Sequence, residues 1–149
     1  MIVNDKWNKY DVVHVGISGG KDSQAAYTWL RFDSGCPANK IRASFCDTGN
    51  EHEWTYEHIE YMRREIGPIE TLKPPLDFYQ LAEKKKMFPI PTARFCTQEL
   101  KLYPSQKHIM QWMNAGLNVL LITGVRLGKN KASTLLPEIK LDTYYACEN

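Results

Sequence analysis

Short apolar runs alternate with longer amphipathic stretches along most of this chain. The apolar runs are bounded by glycine, proline or polar residues and are too short for helices, which predicts strands. We assign four strands: Asp11–Ile17, Ile41–Cys46, Ile69–Leu72 and Asn118–Thr123. The amphipathic stretches between them predict helices at about Asp22–Phe32, Glu51–Ile66 and Leu76–Lys86, and a fourth helix that ends near Asn114.

This order of elements predicts the fold class. Strands that alternate with helices form a parallel sheet with right-handed crossovers. We therefore expect one three-layered α/β domain with a doubly wound, mostly parallel sheet in the strand order 3-2-1-4. The sequence does not decide whether the sheet has a fifth strand. The stretch Leu127–Asn149 shows no sustained period, so no element is predicted there.

Apolar side chains at helical spacing indicate which faces of the helices pack on the sheet. In the first two helices these side chains are Ala25, Ala26, Trp29, Leu30, Ile59, Met62 and Ile66. Asn50 and Glu53 have the spacing of a capping box, and Gly116 follows the fourth helix as its cap. Among the remaining ring side chains, we expect a core position for His14, Trp54 and Trp112 and a surface position for His52, His58 and His108.

A glycine-rich turn, here called the glycine loop, joins the first strand to the first helix; it reads Ser18-Gly19-Gly20-Lys21-Asp22-Ser23. The two glycines allow positive φ angles and a close approach of an anion to the backbone. The first amides of the following helix carry partial positive charge, Lys21 adds a full charge, and two serines add hydroxyl donors. The loop is therefore predicted to hold phosphate groups.

Two common phosphate-binding loops do not fit this stretch. A Walker A loop, G-x-x-x-x-G-K-[ST], would need glycine at Val15 and a hydroxyl residue at Asp22. The dinucleotide fingerprint G-x-G-x-x-G is absent as well. These differences argue against a P-loop kinase or GTPase and against a Rossmann dehydrogenase.

Two further strands end in polar or glycine-containing segments: Asp47-Thr48-Gly49 after the second strand and Gly124-Val125-Arg126 after the fourth. The carboxyl ends of parallel strands lie at one edge of a sheet, and ligands bind there at the point where the strand order reverses. In the order 3-2-1-4, this point lies between strands one and four. We therefore expect Lys21 and Arg126 to face one crevice.

Composition and net charge limit the classes of protein to which this chain can belong. A hydrophobic share of 43% over 149 residues is typical of one globular domain, and a net charge of +2 is below that of a dedicated nucleic-acid binder. The basic run Lys84–Lys86 is expected to be a solvated helix end. The cysteines are isolated in the sequence, with no C-x-x-C pair, and most of them are expected to be packing residues: Cys36, Cys46, Cys96 and Cys147. Without a membrane-span or signal-peptide pattern, we expect a cytoplasmic protein.

Four motifs, taken in order, resemble the phosphoadenosine phosphosulfate (PAPS) reductase family of the PP-loop ATP pyrophosphatase, or adenine-nucleotide α-hydrolase-like, superfamily. The glycine loop matches the PP-loop pattern S-G-G-x-D-S. The other three are Phe45–Gly49, Arg94–Thr97 with Leu100-Lys101, and Gly124–Arg126. The resemblance extends over residues 11–126.

The resemblance implies roles for individual residues. The phosphates or phosphosulfate of an adenine nucleotide would be held by Ser18, Gly19, Gly20, Lys21, Asp22 and Ser23. The pocket for the adenine and ribose would be lined by Asp47, Thr48 and Gly49. The anionic part of the substrate would contact Arg94, Lys101, Gly124 and Arg126. The candidate catalytic groups are Lys21, Arg126 and the thiol of Cys96, for which a packing or substrate-lining role is the alternative.

The chain also departs from that family. Its members usually follow G-[VIL]-R with an acidic residue, a serine and an arginine, and later carry a tail with E-C-G-L-H. Here Leu127–Lys131 follows instead, and Cys147-Glu148-Asn149 ends the sequence. We therefore expect one PP-loop domain over residues 1–149 that lacks the C-terminal segment of the family, either a short relative of the kind that phages carry or a fragment.

Two functions stay open at this point. One is an enzyme that acts on ATP, PAPS or adenosine phosphosulfate, either forming AMP with release of pyrophosphate or releasing sulfite. The other is a catalytically degenerate module that senses a nucleotide or binds a partner. ATP or PAPS is the expected ligand. Whether Mg²⁺ binds together with the nucleotide stays open. No iron–sulfur cluster, protein metal site, membrane or nucleic acid is expected, and a homo-oligomer or a protein partner stays open.

Overall fold

The computed structural model describes residues 5–124 and the backbone of residues 139–140. The strands are β1 (Val12–Ile17), β2 (Ile41–Cys46), β3 (Glu70–Leu72), β4 (Val119–Gly124) and β5 (Ile139–Lys140). The α-helices are α1 (Lys21–Phe32), α2 (Glu53–Glu65), α3 (Phe78–Lys85), α4 (Phe95–Thr97) and α5 (Tyr103–Asn114). The described part also has 3-10 turns at Asp5–Trp7 and Ala38–Lys40 and a π-helical segment at Gln98–Leu102.

One sheet contains the five strands in the order β3-β2-β1-β4-β5. The pairs β1–β2, β1–β4 and β2–β3 are parallel, and β5 runs antiparallel to β4. The predicted parallel order 3-2-1-4 is confirmed, and a short fifth strand extends it. The strand order reverses between β1 and β4, so the crevice predicted for a ligand lies beyond the carboxyl ends of these two strands.

The face of the sheet that packs against α1 and α2 is apolar. Alternate residues of β1 and β2 point to it, as the period of two requires. The cluster is formed by Val13, Val15, Ile17, Ile41, Ala43, Phe45, Tyr27, Leu30, Ile59 and Met62, among others. In α1 the buried positions include Ala26 and Leu30 as predicted, but Tyr27 is buried where Ala25 and Trp29 are only partly covered.

The opposite face of β1 and β2 carries polar side chains, and α5 lies on it. His14 is buried, as predicted, and its Nε2 lies 2.8 Å from Ser44 Oγ. The ring of the partly buried Trp112 lies 5.7 Å from the His14 ring. The surface position expected for His108 is wrong: its ring lies 4.6 Å from that of Trp112, and its Nε2 is 3.2 Å from Glu70 Oε2. The polar layer therefore links β1, β2, β3 and α5.

One predicted helix cap is wrong and one is confirmed. The capping box expected at Asn50 and Glu53 is wrong, because α2 begins at Glu53 and is capped by His52, whose Nδ1 accepts a hydrogen bond from the Trp54 amide. The cap predicted at Gly116 is confirmed: its φ is +81°, and its amide donates to the carbonyl oxygen of Met113.

Candidate functional site

The glycine loop is held in shape by its own hydrogen bonds. Ser23 is buried, and its hydroxyl group donates to the carbonyl oxygen of Gly20 at 2.9 Å. Oγ of Ser23 also accepts a hydrogen bond from the Ser18 amide and lies 3.2 Å from Ser18 Oγ. Ser18 Oγ in turn accepts from the Gly20 amide at 3.3 Å. The two hydroxyl groups therefore fix the loop, while Lys21, at the first position of α1, is exposed.

Gly19 lies where only glycine fits. Its φ is +81°, and a Cβ built on it would lie 2.9 Å from Cγ2 of Thr55. The first turn of α2 therefore packs directly against the loop. Because both α1 and α2 begin at this edge of the sheet, the unpaired amides of two helix N-termini lie on the same side of the molecule.

Gly124 brings the end of β4 against the start of α1. A Cβ built on Gly124 would overlap the carbonyl group of Asp22 and lie 2.9 Å from the Ser23 amide nitrogen. The predicted convergence of the first loop with the end of the fourth strand is therefore present in the fold. Arg126 and Val125 lie outside the described residues, so the position of the predicted forked donor is not described.

The segment after β2, Asp47–Asn50, forms a tight turn. Oδ1 of Asp47 accepts from the Gly49 amide at 2.9 Å and from the Tyr56 hydroxyl group at 2.6 Å. Gly49 has a φ of +75°, and a Cβ on it would lie 3.0 Å from Cβ of Asp77. Oδ2 of Asp47 accepts no hydrogen bond from the described residues, so one carboxylate oxygen remains available to a ligand.

Electrostatics keep the Tyr56 hydroxyl group protonated. Its hydrogen bond to the Asp47 carboxylate, together with partial burial, raises the pKa of Tyr56 to about 12. Tyr56 therefore remains a donor throughout the neutral and moderately alkaline range. The turn after β2 is fixed by α2, just as the glycine loop is.

Lys101 reaches this turn from the other face of the sheet. Its Nζ lies 3.3 Å from Glu51 Oε1, and that carboxylate oxygen also accepts a hydrogen bond from the buried Thr48 hydroxyl group at 3.1 Å. Lys101 belongs to the π-helical segment, just before Pro104. Proline crowds the carbonyl group one turn earlier, and the wider π turn gives that ring space.

The structure does not join Arg94 and Cys96 to these loops. Arg94 is exposed immediately before α4, and Cys96 is a half-buried free thiol. Neither side chain makes a hydrogen bond or ion pair to the glycine loop or to Asp47–Gly49 within residues 5–124. Cys36 is buried, where desolvation raises its pKa to about 11, as expected for a packing thiol; Cys147 lies outside the described residues.

Sequence reasoning missed three residues in or just before the first turn of α2 and misplaced Trp54. Glu51, Thr55 and Tyr56 contact the two loops, as described above. The core position expected for Trp54 is wrong, since 75% of its surface is exposed. A signal was present: Trp54 is five residues before Ile59, about 140° away around a helix, and so off the apolar stripe. His52 is exposed as predicted, whereas His58 is partly buried and its Nε2 lies 2.9 Å from Gln24 Oε1.

No three His, Cys, Asp or Glu side chains within the described residues are grouped so that they could hold a metal ion. None of the helices described is long and apolar enough to cross a bilayer.

Comparison with other sequences identifies a phage relative. No protein-family model matches the sequence. An uncharacterized 37.8 kDa protein in the gpa 5' region of Escherichia phage 186 is 36% identical over 74 residues, a match that covers 50% of this chain and 20% of the phage protein. The match thus spans about a fifth of the length of that relative.

Comparison with solved structures supports the fold. The crystal structure of PAPS reductase from Candida auris, solved as a phosphate complex, matches with a TM-score of 0.56 at 16% identity. The match covers 78% of this chain and 55% of the reductase chain. At that identity the likeness concerns architecture alone. This chain has an α/β fold with the parallel strand order 3-2-1-4 that resembles the fold of PAPS reductase.

Proposed function

We propose that the chain binds an adenine nucleotide, ATP or PAPS, with the phosphates or phosphosulfate against the glycine loop. One observation supports the proposal above all: a rigid glycine turn followed by Lys21 opens a 12-residue helix at the reversal point of a parallel sheet. Backbone amides at such a helix start favour anions, and their position there costs no rearrangement on binding.

The glycine loop alone does not give micromolar affinity for a nucleotide, so other groups must contribute to binding. A helix dipole contributes about 0.3–1 kcal/mol to an exposed anion and up to ~2 kcal/mol to a partly buried one, whereas micromolar affinity requires about 8 kcal/mol. Lys21, several amide hydrogen bonds and a stacking surface for the base would supply the difference. We further propose that Arg126, whose guanidinium group is a forked donor, contributes to the anion site.

The turn after β2 is the proposed site for the adenosine part. Asp47 Oδ2 is open to a ribose hydroxyl group, and the exposed indole of Trp54 lies one residue before Thr55, which contacts Gly19. Aromatic rings in such positions bind bases by stacking. Lys101 is 48% exposed although it pairs with Glu51, so its ammonium group can also meet a substrate anion.

We extend the proposal to turnover in two forms. With ATP, a water molecule attacks the α-phosphorus, the bond to the β-phosphate oxygen breaks, and AMP and pyrophosphate form. With PAPS, a thiolate, for which Cys96 is the candidate within residues 5–124, attacks the sulfur atom and adenosine 3',5'-bisphosphate leaves. A second, external thiol then displaces sulfite and a disulfide forms. Lys21 and Arg126 would stabilise the charge on the leaving group.

The binding proposal is tested by calorimetric titration of ATP and of PAPS into the wild type and two variants. Lys21→Gln removes a charge-assisted hydrogen bond worth about 1.5–3 kcal/mol, which is a loss of affinity of about 10–150-fold. Lys9→Gln is the matched control, because Lys9 is also exposed but precedes β1 at the opposite end of the sheet. Equal affinities in the three proteins would contradict the proposal.

Turnover is tested separately from binding. The protein is incubated with ATP and Mg²⁺, and in parallel with PAPS and a thiol reductant, and the products are quantified as AMP with pyrophosphate or as sulfite. Either product, lost in Lys21→Gln, supports the enzyme. Nucleotide binding without product supports the second function, a module that senses the nucleotide. The engagement of both Ser18 and Ser23 hydroxyl groups inside the loop is the observation that favours this alternative.

A further inference from the structure

A second cleft, of about 810 Å³, lies on the face of the sheet opposite α1 and α2. Its walls are the segment after β3, helix α3, the π-helical segment and α5. None of the residues proposed above for the nucleotide lines it. Its volume lies within the range of small-molecule sites in proteins. The cleft is therefore a separate candidate site.

The floor of this cleft is apolar. It contains Leu72 at the end of β3, Leu81 of α3 and Leu100 of the π-helical segment, and the last two are almost completely buried. Three prolines and Tyr103 add further rigid apolar surface. A pre-formed floor of this kind favours the aliphatic or aromatic part of a ligand.

The rim of the cleft carries more positive than negative side chains. Three lysines from three different segments line it: Lys73, Lys84 and Lys107. None of them makes an ion pair within the part of the chain that the structure describes. The carboxylate in the lining, Glu99, is neutralised by Lys85 at 2.7 Å, and His108 is paired with Glu70. An anionic ligand thus meets an attractive potential from several sides.

We propose that this cleft binds a small amphipathic anion, a molecule with an apolar body for the leucine floor and a carboxylate or phosphate group for the lysine rim. An uncharged apolar molecule would leave the three ammonium groups unused. A simple inorganic anion would leave the accessible apolar lining, such as Leu72, Pro75 and Tyr103, in contact with water. The combination of the two surfaces selects for a ligand that carries both parts.

The test uses two fluorescent probes with the same anilinonaphthalene body. The probe 8-anilinonaphthalene-1-sulfonate carries a negative charge, and N-phenyl-1-naphthylamine lacks it. We expect the anionic probe to bind the wild type at least about tenfold more tightly at low salt and to lose most of this preference at 1 M salt. Equal binding of the two probes would overturn the proposal.

Variants locate the bound probe. The double variant Lys84→Gln/Lys107→Gln is expected to weaken binding of the anionic probe by about tenfold or more through loss of two rim charges. Lys86→Gln is the matched control, since Lys86 is exposed two residues from Lys84 but does not line the cleft. Lys21→Gln is expected to bind the probe normally, which separates this cleft from the nucleotide site. Unchanged binding in the double variant, with circular dichroism and the midpoint of unfolding unaltered, would refute the proposed location.

Competition distinguishes the two kinds of head group. Decanoate and decyl phosphate share one chain, and we expect at least one of them to displace the probe, with the stronger competitor identifying the head group. Decanol provides the body alone and inorganic phosphate the charge alone, and both are expected to compete at least about tenfold more weakly. Equal displacement by decanol would show that the lysine rim has no role and would overturn the proposal.

Discussion

Gly124, the last residue of β4, lies so close to Asp22 that a methyl group on its α-carbon would overlap the Asp22 carbonyl group. This contact joins β4 to the first turn of α1, the helix that follows β1. The strand order reverses between β1 and β4. The glycine loop is thus fixed by its own serine hydrogen bonds on one side and by the backbone of β4 on the other. Any ligand at the loop meets a surface that is already organised.

Substitution of Gly124 tests this contact. Gly124→Ala forces the backbone of the first turn of α1 to move, and such overpacking costs about 1–3 kcal/mol. Gly16→Ala, in β1, is the matched control because a Cβ there meets nothing within 4 Å; its effect is expected to stay within about 0.5 kcal/mol. Urea unfolding measures both. Equal stabilities of the two variants would contradict the close approach of β4 to α1.

Trp54 gives the proposed nucleotide site an optical signal. We expect nucleotide binding to quench its emission, and Trp54→Phe to abolish the quench with little loss of affinity. Trp54→Ala removes the stacking surface and is expected to weaken binding by about 5–150-fold, the equivalent of about 1–3 kcal/mol. Trp29→Phe, at the ring pair of Trp29 with Trp7, is the control that keeps the quench. A quench that survives in Trp54→Phe would place the base elsewhere.

The Tyr56 hydroxyl group is predicted to stabilise the turn after β2. Tyr56→Phe removes the hydrogen bond to Asp47 and is expected to lower the free energy of unfolding by about 1 kcal/mol. Tyr61→Phe is the matched control on the same helix, because the exposed Tyr61 hydroxyl group makes no hydrogen bond within the described residues. Denaturant titration at pH 7 compares the two. A loss in Tyr61→Phe as large as in Tyr56→Phe would remove the basis for this role.

Local patterns were sufficient to predict the architecture, because strand and helix periods depend on residues that are near in sequence. They failed to predict the positions of side chains whose partners belong to other elements or whose hydrogen bonds form a turn. Asp47 and Thr48 use their side chains to form a turn, so α2 begins at Glu53, two residues later than predicted. His108 was expected on the surface because its partner, Glu70, belongs to another element. The opposite error occurred at Trp54, which size alone suggested for the core.

Buried His14 is predicted to make stability depend on pH below neutrality. Only 4% of its surface is exposed, and burial, reinforced by the nearby His108, lowers its pKa to about 4 from 6.5. Because the unfolded chain binds this proton more readily than the folded one, the stabilisation is complete above pH 6.5 and is lost progressively as the pH falls toward 4. Between pH 7.5 and 5 the loss is about 2 kcal/mol.

The measurement is urea unfolding of the wild type and of His14→Gln at pH 7.5, 6 and 5. The glutamine amide can still bond Ser44 but does not titrate, so the difference in stability between the two proteins should shrink by about 2 kcal/mol over this range. His108, whose ring lies 6.2 Å from that of His14, and its partner Glu70 remain in both proteins, so the comparison measures the titration of His14 together with its interaction with His108. His52→Asn, a substitution that retains a helix-capping residue at an exposed site, should preserve the full pH dependence. Parallel stability curves for the wild type and His14→Gln would show that His14 is not buried as a neutral group.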